Sequence, residues 1–131
     1  MASLRSTVRI ARSADEVWKV VSDAAGISVW FPGIEHASAA DGTRSCTLAG
    51  GHELQEDVVN VDGELRRFQY RITSGLPVDH HLGTVDVLAD REDSSLVVYS
   101  TEITPDELGD VVGPSVEGGV QGLKAHLESG S

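Results

Sequence analysis

Apolar and polar positions alternate along most of this chain, and the period changes at both ends. Residues 4–11 alternate: Ser6, Val8 and Ile10 fall on one face, and Arg5, Thr7 and Arg9 on the other. That period of two predicts a half-buried strand. Ser13 then stands three residues before Glu16, a capping box that starts a helix at Ala14. Val17, Trp18, Val20 and Val21 form the buried side of that helix, and Gly26 interrupts it. A second short helical turn over residues 27–31 ends at Pro32-Gly33.

From residue 35 to 104 the pattern is strands and tight turns. Residues 35–40 are a short strand, and Asp41-Gly42 is a hairpin turn. Residues 43–49 alternate, with Cys46 and Leu48 on one face, until Gly50-Gly51 breaks them. Residues 52–61 and 64–73 flank Asp62-Gly63, and a loop follows at Ser74-Gly75-Leu76-Pro77. Two long strands, 79–89 and 94–104, are joined by the charged turn Asp90-Arg91-Glu92-Asp93.

The period then lengthens. Leu108, Val112, Val116, Val120, Leu123 and Leu127 recur every three or four residues, the spacing of one helical face. Pro114 should kink this helix or mark its true start. Gly113, Gly118, Gly119 and Gly122 each weaken it by about 1 kcal/mol relative to Ala. Two reasons would account for them: close packing of helix on sheet, or room beneath the helix for a ligand. Strands segregated from helices and joined by hairpin-length turns give an α+β fold with an antiparallel sheet.

At 131 residues the chain has length for one domain. Asp and Glu number 21 against 10 Lys and Arg, a net charge of −11. A surface so acidic does not suit nucleic acid or an anionic membrane. No apolar stretch approaches the roughly 20 residues a bilayer needs. The opening residues, Met1-Ala2-Ser3-Leu4-Arg5, do not read as a signal peptide, and a cytoplasmic protein is expected. Cys46 is the single cysteine, which excludes an internal disulfide and a thiolate metal cluster. No metal site or cofactor is expected. Neither a nucleophile elbow nor a phosphate-binding glycine loop is present.

Several segments together resemble the START-like (SRPBCC, helix-grip) superfamily, in its bacterial polyketide cyclase/dehydrase-like branch. They are Ser13-Ala14-Asp15-Glu16-Val17-Trp18 after a strand, Trp30-Phe31-Pro32-Gly33-Ile34, and Glu56, Asp62 and Tyr70-Arg71-Ile72. Gly75-Leu76-Pro77-Val78 and Val120-Gln121-Gly122-Leu123-Lys124 complete the set. The resemblance implies a helix-grip fold over residues 1–131. A curved antiparallel sheet of about 6–7 strands wraps a long C-terminal helix, with two short helices after the first strand. It also implies a cavity between sheet and helix that takes small, mostly apolar molecules.

The hairpin at Asp62-Gly63 decides which side chains face such a cavity. A two-residue loop pairs Val61 with Glu64 and sets Asp57 and Val59 beside Phe68 and Tyr70. A three-residue loop, with Gly63 left-handed, pairs Asn60 with Glu64 and sets Leu54, Glu56 and Val58 on the face of Phe68, Tyr70 and Ile72. Each register turns a polar group inward; the resemblance favours the second. Glu56 would then be partly desolvated, which suits a general base or a hydrogen-bond acceptor, whereas outward it would pair with Arg67 or Arg71. Of His80 and His81 only one can face in, and the resemblance selects His81. His52 is a second histidine that could approach it. Tyr70 and Tyr99 give apolar walls with hydroxyls that need partners. Arg66 is either a surface arginine or a cation at the cavity mouth. The remaining candidate lining is Trp30, Cys46, Leu48, Phe68, Ile72, Val116 and Val120.

Three functions are compatible with this reading. The first is binding of a small apolar molecule, such as a polyketide, lipid or aromatic metabolite. The second is an aromatase/cyclase or dehydratase using Glu56 and His81. The third is a regulatory or co-chaperone-like protein-interaction domain. A homodimer stays open.

Overall fold

The computed structural model describes residues 1–129. Strand β1 (Ala2–Ile10) leads into helix α1 (Ala14–Val21), whose capping box is present as expected: Ser13 Oγ accepts from the Glu16 N–H at 3.2 Å, and Glu16 reaches back to the Ser13 N–H. A 3-10 turn (Ala24–Val29) precedes β2 (Ile34–Ala40), β3 (Thr43–Leu48), β4 (Glu53–Asp62), β5 (Arg67–Ser74), β6 (His80–Arg91) and β7 (Ser94–Thr104). A short 3-10 turn (Asp106–Leu108) opens into helix α2 (Gly109–Ser129). The strands form one seven-stranded sheet, in the order β1-β7-β6-β5-β4-β3-β2, with every neighbouring pair antiparallel. This is the helix-grip fold.

The two-residue turn at Asp41-Gly42 has both residues at positive φ, which matches the twist of the strands it joins. The β4–β5 hairpin departs from both expected registers. Its loop has four residues: Asp62 pairs with Arg67, and Asp62 Oδ1 accepts from the N–H groups of Glu64 and Leu65, each at 3.0 Å. Arg66, not Gly63, takes the left-handed conformation. That loop would turn the wrong face inward. A bulge at Val59 shifts the register by one, so that Val58 meets Tyr70 and Glu56 meets Ile72. The expected face therefore points inward by a different route, and Val59 is left exposed. A second shift lies between Gln55 and Glu56. Such bulges bend the strand and increase its twist.

Helix α2 buries Val116, Val120 and Leu123 against the concave face, a few kcal/mol of apolar burial. It runs unbroken through Pro114 and starts five residues earlier. The glycines do different things. A Cβ on Gly122 would stand 2.2 Å from the Trp30 carbonyl oxygen, and one on Gly119 would stand 2.9 Å from the Phe31 ring. These two positions let the helix backbone settle onto the 30–32 segment. Gly118 faces open space. The end of the helix is tied down by Lys124, whose Nζ donates to the Arg9 carbonyl at 2.7 Å, and by Glu128, which accepts from the Ala11 N–H at 2.9 Å.

Candidate functional site

A cavity of about 350 Å³ lies between the concave face of the sheet and the first half of α2. Its floor is Leu54, Glu56, Tyr70, Ile72, His81 and Tyr99. Its roof is Val111, Val112, Ser115 and Val116 of α2. Ile27, Phe31, Pro32, Gly33, Ile34, Leu48, Ala49 and Leu76 complete the wall at one end. The lining is mostly apolar, with a few polar groups on the floor, the usual make-up of a small-molecule site. A larger hollow of about 1,040 Å³ lies elsewhere, beside Arg9, Arg12 and Asp90. It is wide open and lined mostly by charged side chains, among them the Arg9–Asp90 pair, so it does not suit an apolar guest.

Of the sequence candidates, Leu48, Glu56, Tyr70, Ile72, His81, Tyr99 and Val116 line this cavity. Trp30, Cys46, Phe68 and Val120 are buried but lie outside its lining. Arg66 has left the strand altogether and holds Asp15 of α1 at 2.7 Å. His52 is exposed and bonds the Gly75 carbonyl at 2.7 Å, not His81.

Glu56 faces inward, yet it is not free. Arg44 Nε donates to its Oε1 at 2.7 Å, and the Cys46 thiol points at the same oxygen from 3.7 Å. Both side chains of this ion pair are almost wholly buried. The Arg44 guanidinium also lies 5.4 Å from the Phe68 ring centre and 5.2 Å from that of Tyr70, and Nη1 reaches the Ala24 carbonyl at 3.3 Å. Burial pulls the guanidinium down, but Glu56, together with Tyr70 and Cys46, holds it above its usual value. The sequence reading missed Arg44. Its signal was present: it sits two residues before Cys46, on the same strand face, opposite Glu56 in the β3–β4 register. Burial, followed by the Glu56 charge, pushes the Cys46 thiol up to about 11, so it is no nucleophile.

The Tyr70 and Tyr99 hydroxyls hydrogen-bond to each other on the floor. Burial holds Tyr70 well above its ordinary value and pushes Tyr99 up to about 12. Tyr70 can lie there because residue 83 on β6 is glycine; a Cβ at that position would stand 2.5 Å from its ring. Next to Tyr70, with ring centres 5.3 Å apart, is His81. The Ile72 N–H donates to His81 Nδ1 at 3.0 Å. Burial, aided by His80 and Arg71, pulls the imidazole down to about 4, so it is neutral at pH 7. With Nδ1 accepting, the proton must sit on Nε2. That Nε2 is buried with no partner. No cluster of three or more His, Cys, Asp or Glu able to hold a metal occurs among the described residues.

The profile of the family described as polyketide cyclase / dehydrase and lipid transport matches residues 1–128. The chain belongs to this family. Solved structures share the helix-grip fold of this member of the polyketide cyclase / dehydrase and lipid transport family. The protein XoxI from Bacillus cereus superposes with a TM-score of 0.91 at 23% identity, over 100% of this chain and 99% of that one. A START superfamily protein from Mycobacterium smegmatis gives 0.84 at 15% identity, over 98% and 99%. Norcoclaurine synthase from Thalictrum flavum, in complex with dopamine and hydroxybenzaldehyde, gives 0.77 at 22% identity, over 99% and 88%. No curated protein sequence matches the chain significantly. The fold is one capable of binding a small hydrophobic molecule. No helix among the described residues is long and apolar enough to cross a membrane.

Proposed function

We propose that this protein binds one small, mostly apolar molecule in the cavity between sheet and helix. The observation that carries the reading is the cavity itself: about 350 Å³, apolar in its walls and polar on its floor. That volume is at the low end of the roughly 300–1,000 Å³ range of small-molecule sites. It suits a compact guest of one or two rings better than an extended acyl chain. Norcoclaurine synthase, on the same fold, is seen with dopamine and hydroxybenzaldehyde, each a single-ring molecule, which supports that size. A lone, buried, unpaired cysteine suits a reducing cytoplasm, where we place the protein.

Titration with the neutral two-ring dye 6-propionyl-2-(dimethylamino)naphthalene tests the reading. The expected result is saturable fluorescence that Val112→Trp abolishes by filling the cavity while the fold persists. Absence of saturable binding, to this dye and to apolar one- and two-ring compounds, overturns it.

A second reading, cyclisation or dehydration of a keto-chain substrate, is supported by the polar floor. Tyr70, Tyr99 and His81 bring two hydroxyls and one N–H to a single wall. Glu56 is a poor base for such chemistry, because Arg44 holds its carboxylate. This reading expects Tyr99→Phe to lose turnover of a poly-β-keto thioester and to retain binding; equal turnover in the variant sinks it.

A further inference from the structure

We infer that His81 is the recognition residue of the cavity, and that its ligand is an uncharged molecule presenting an acceptor oxygen of carbonyl type to Nε2–H. The inference rests on the ligand-binding reading and names the ligand's polar end.

Three facts carry it. Among the described residues, His81 is the only cavity-lining side chain with a buried nitrogen or oxygen lacking any partner. The main chain fixes its tautomer: the Ile72 N–H occupies Nδ1, so Nε2 can only donate. The floor carries no uncompensated charge, because Glu56, the one charged lining residue, is matched by Arg44. A buried donor left unmade is costly, and an acceptor that enters the cavity and moves aside the side chains now covering Nε2 removes that penalty. A carboxylate or an ammonium would meet no opposing free charge there and would lose its hydration. A neutral ketone, aldehyde or ester oxygen is the group that fits.

The test compares 2-acetylnaphthalene with 2-ethylnaphthalene, which has the same shape and no acceptor, and with 1-(2-naphthyl)ethylamine, which is cationic. Wild-type protein should favour the ketone over both. In His81→Leu the ketone-to-hydrocarbon preference should fall about tenfold, the worth of one buried hydrogen bond of about 1.4 kcal/mol, while 2-ethylnaphthalene still binds. In His81→Gln, whose amide can donate, part of the preference should return. Should the leucine variant not fold, imidazole ¹⁵N spectra of the wild type give a second measurement. They should show the Nε2–H tautomer, with the Nε2 signal moving on addition of the ketone and not of the hydrocarbon. Equal affinity for ketone and hydrocarbon, a preference that survives His81→Leu, or an Nδ1–H tautomer overturns this inference and leaves the binding site standing. If none of the three probes binds wild-type protein, the binding reading falls and the inference falls with it.

Discussion

Arg44 and Glu56 face each other across β3 and β4 as a buried ion pair 2.7 Å apart. Two charges withdrawn from water are costly singly and tolerable together. Removing one, as in Glu56→Ala, strands the other, and should destabilise the protein by about 3–5 kcal/mol. The double variant Arg44→Met with Glu56→Leu should be close to neutral. Urea unfolding of the three proteins measures both. A single variant as stable as wild type would show that the pair contributes nothing.

The glycines of α2 should separate by their surroundings. Gly122→Ala puts a methyl 2.2 Å from a main-chain oxygen that cannot easily move, and should cost about 1–3 kcal/mol. Gly118→Ala puts it into open space, and should stabilise by about 0.5–1 kcal/mol through helix propensity. Thermal melting of both variants distinguishes packing from propensity.

Gly83→Ala should act on the cavity from behind. Its Cβ would meet the Tyr70 ring at 2.5 Å, so the ring must move. A stability loss of about 1–3 kcal/mol should come with weaker binding of the neutral dye. Unchanged affinity would mean that Tyr70 does not shape the cavity floor.

The pH dependence follows from His81. Its folded value is about 4 against an ordinary 6.5, because burial disfavours the charged ring. Above pH 6.5 it is neutral folded and unfolded, and stability is at its full value. Between pH 6.5 and 4 the unfolded chain takes up a proton that the folded chain refuses. Stability should fall across that window by up to about 3 kcal/mol, then level off for this group. The same pH series on His81→Gln should lack that component. Two parallel curves would argue against a buried neutral histidine.

Much of this molecule was legible in its sequence because periodicity is local. The capping box at Ser13 and Glu16, the Asp41-Gly42 turn and the apolar face of α2 each depend on residues a few positions apart. The inward face of Phe68, Tyr70 and Ile72 was also legible. Its mechanism was not, since the Val59 bulge compensates a four-residue loop that no short-range rule requires. Arg44 was missed because a buried arginine is uncommon and becomes tolerable only once β3 is paired with β4. Trp30, Cys46, Phe68 and Val120 were read as cavity lining, and they are buried outside it. Facing inward does not tell which residues border the empty space and which pack elsewhere in the core.

Helix α2 divides its duties along its length. The second half is fastened by Gly122 against Trp30, by Lys124 against Arg9 and by Glu128 against Ala11. The first half supplies the roof, through Val111, Val112, Ser115 and Val116, and rests Gly109 and Gly113 on Ala2 and Leu4 of β1. Substitutions at the exposed roof positions Val111 and Ser115 can therefore reshape the cavity without disturbing what holds the protein together. The shape of the cavity is thus set by fewer than two helical turns, at the opposite end of α2 from the contacts that anchor it.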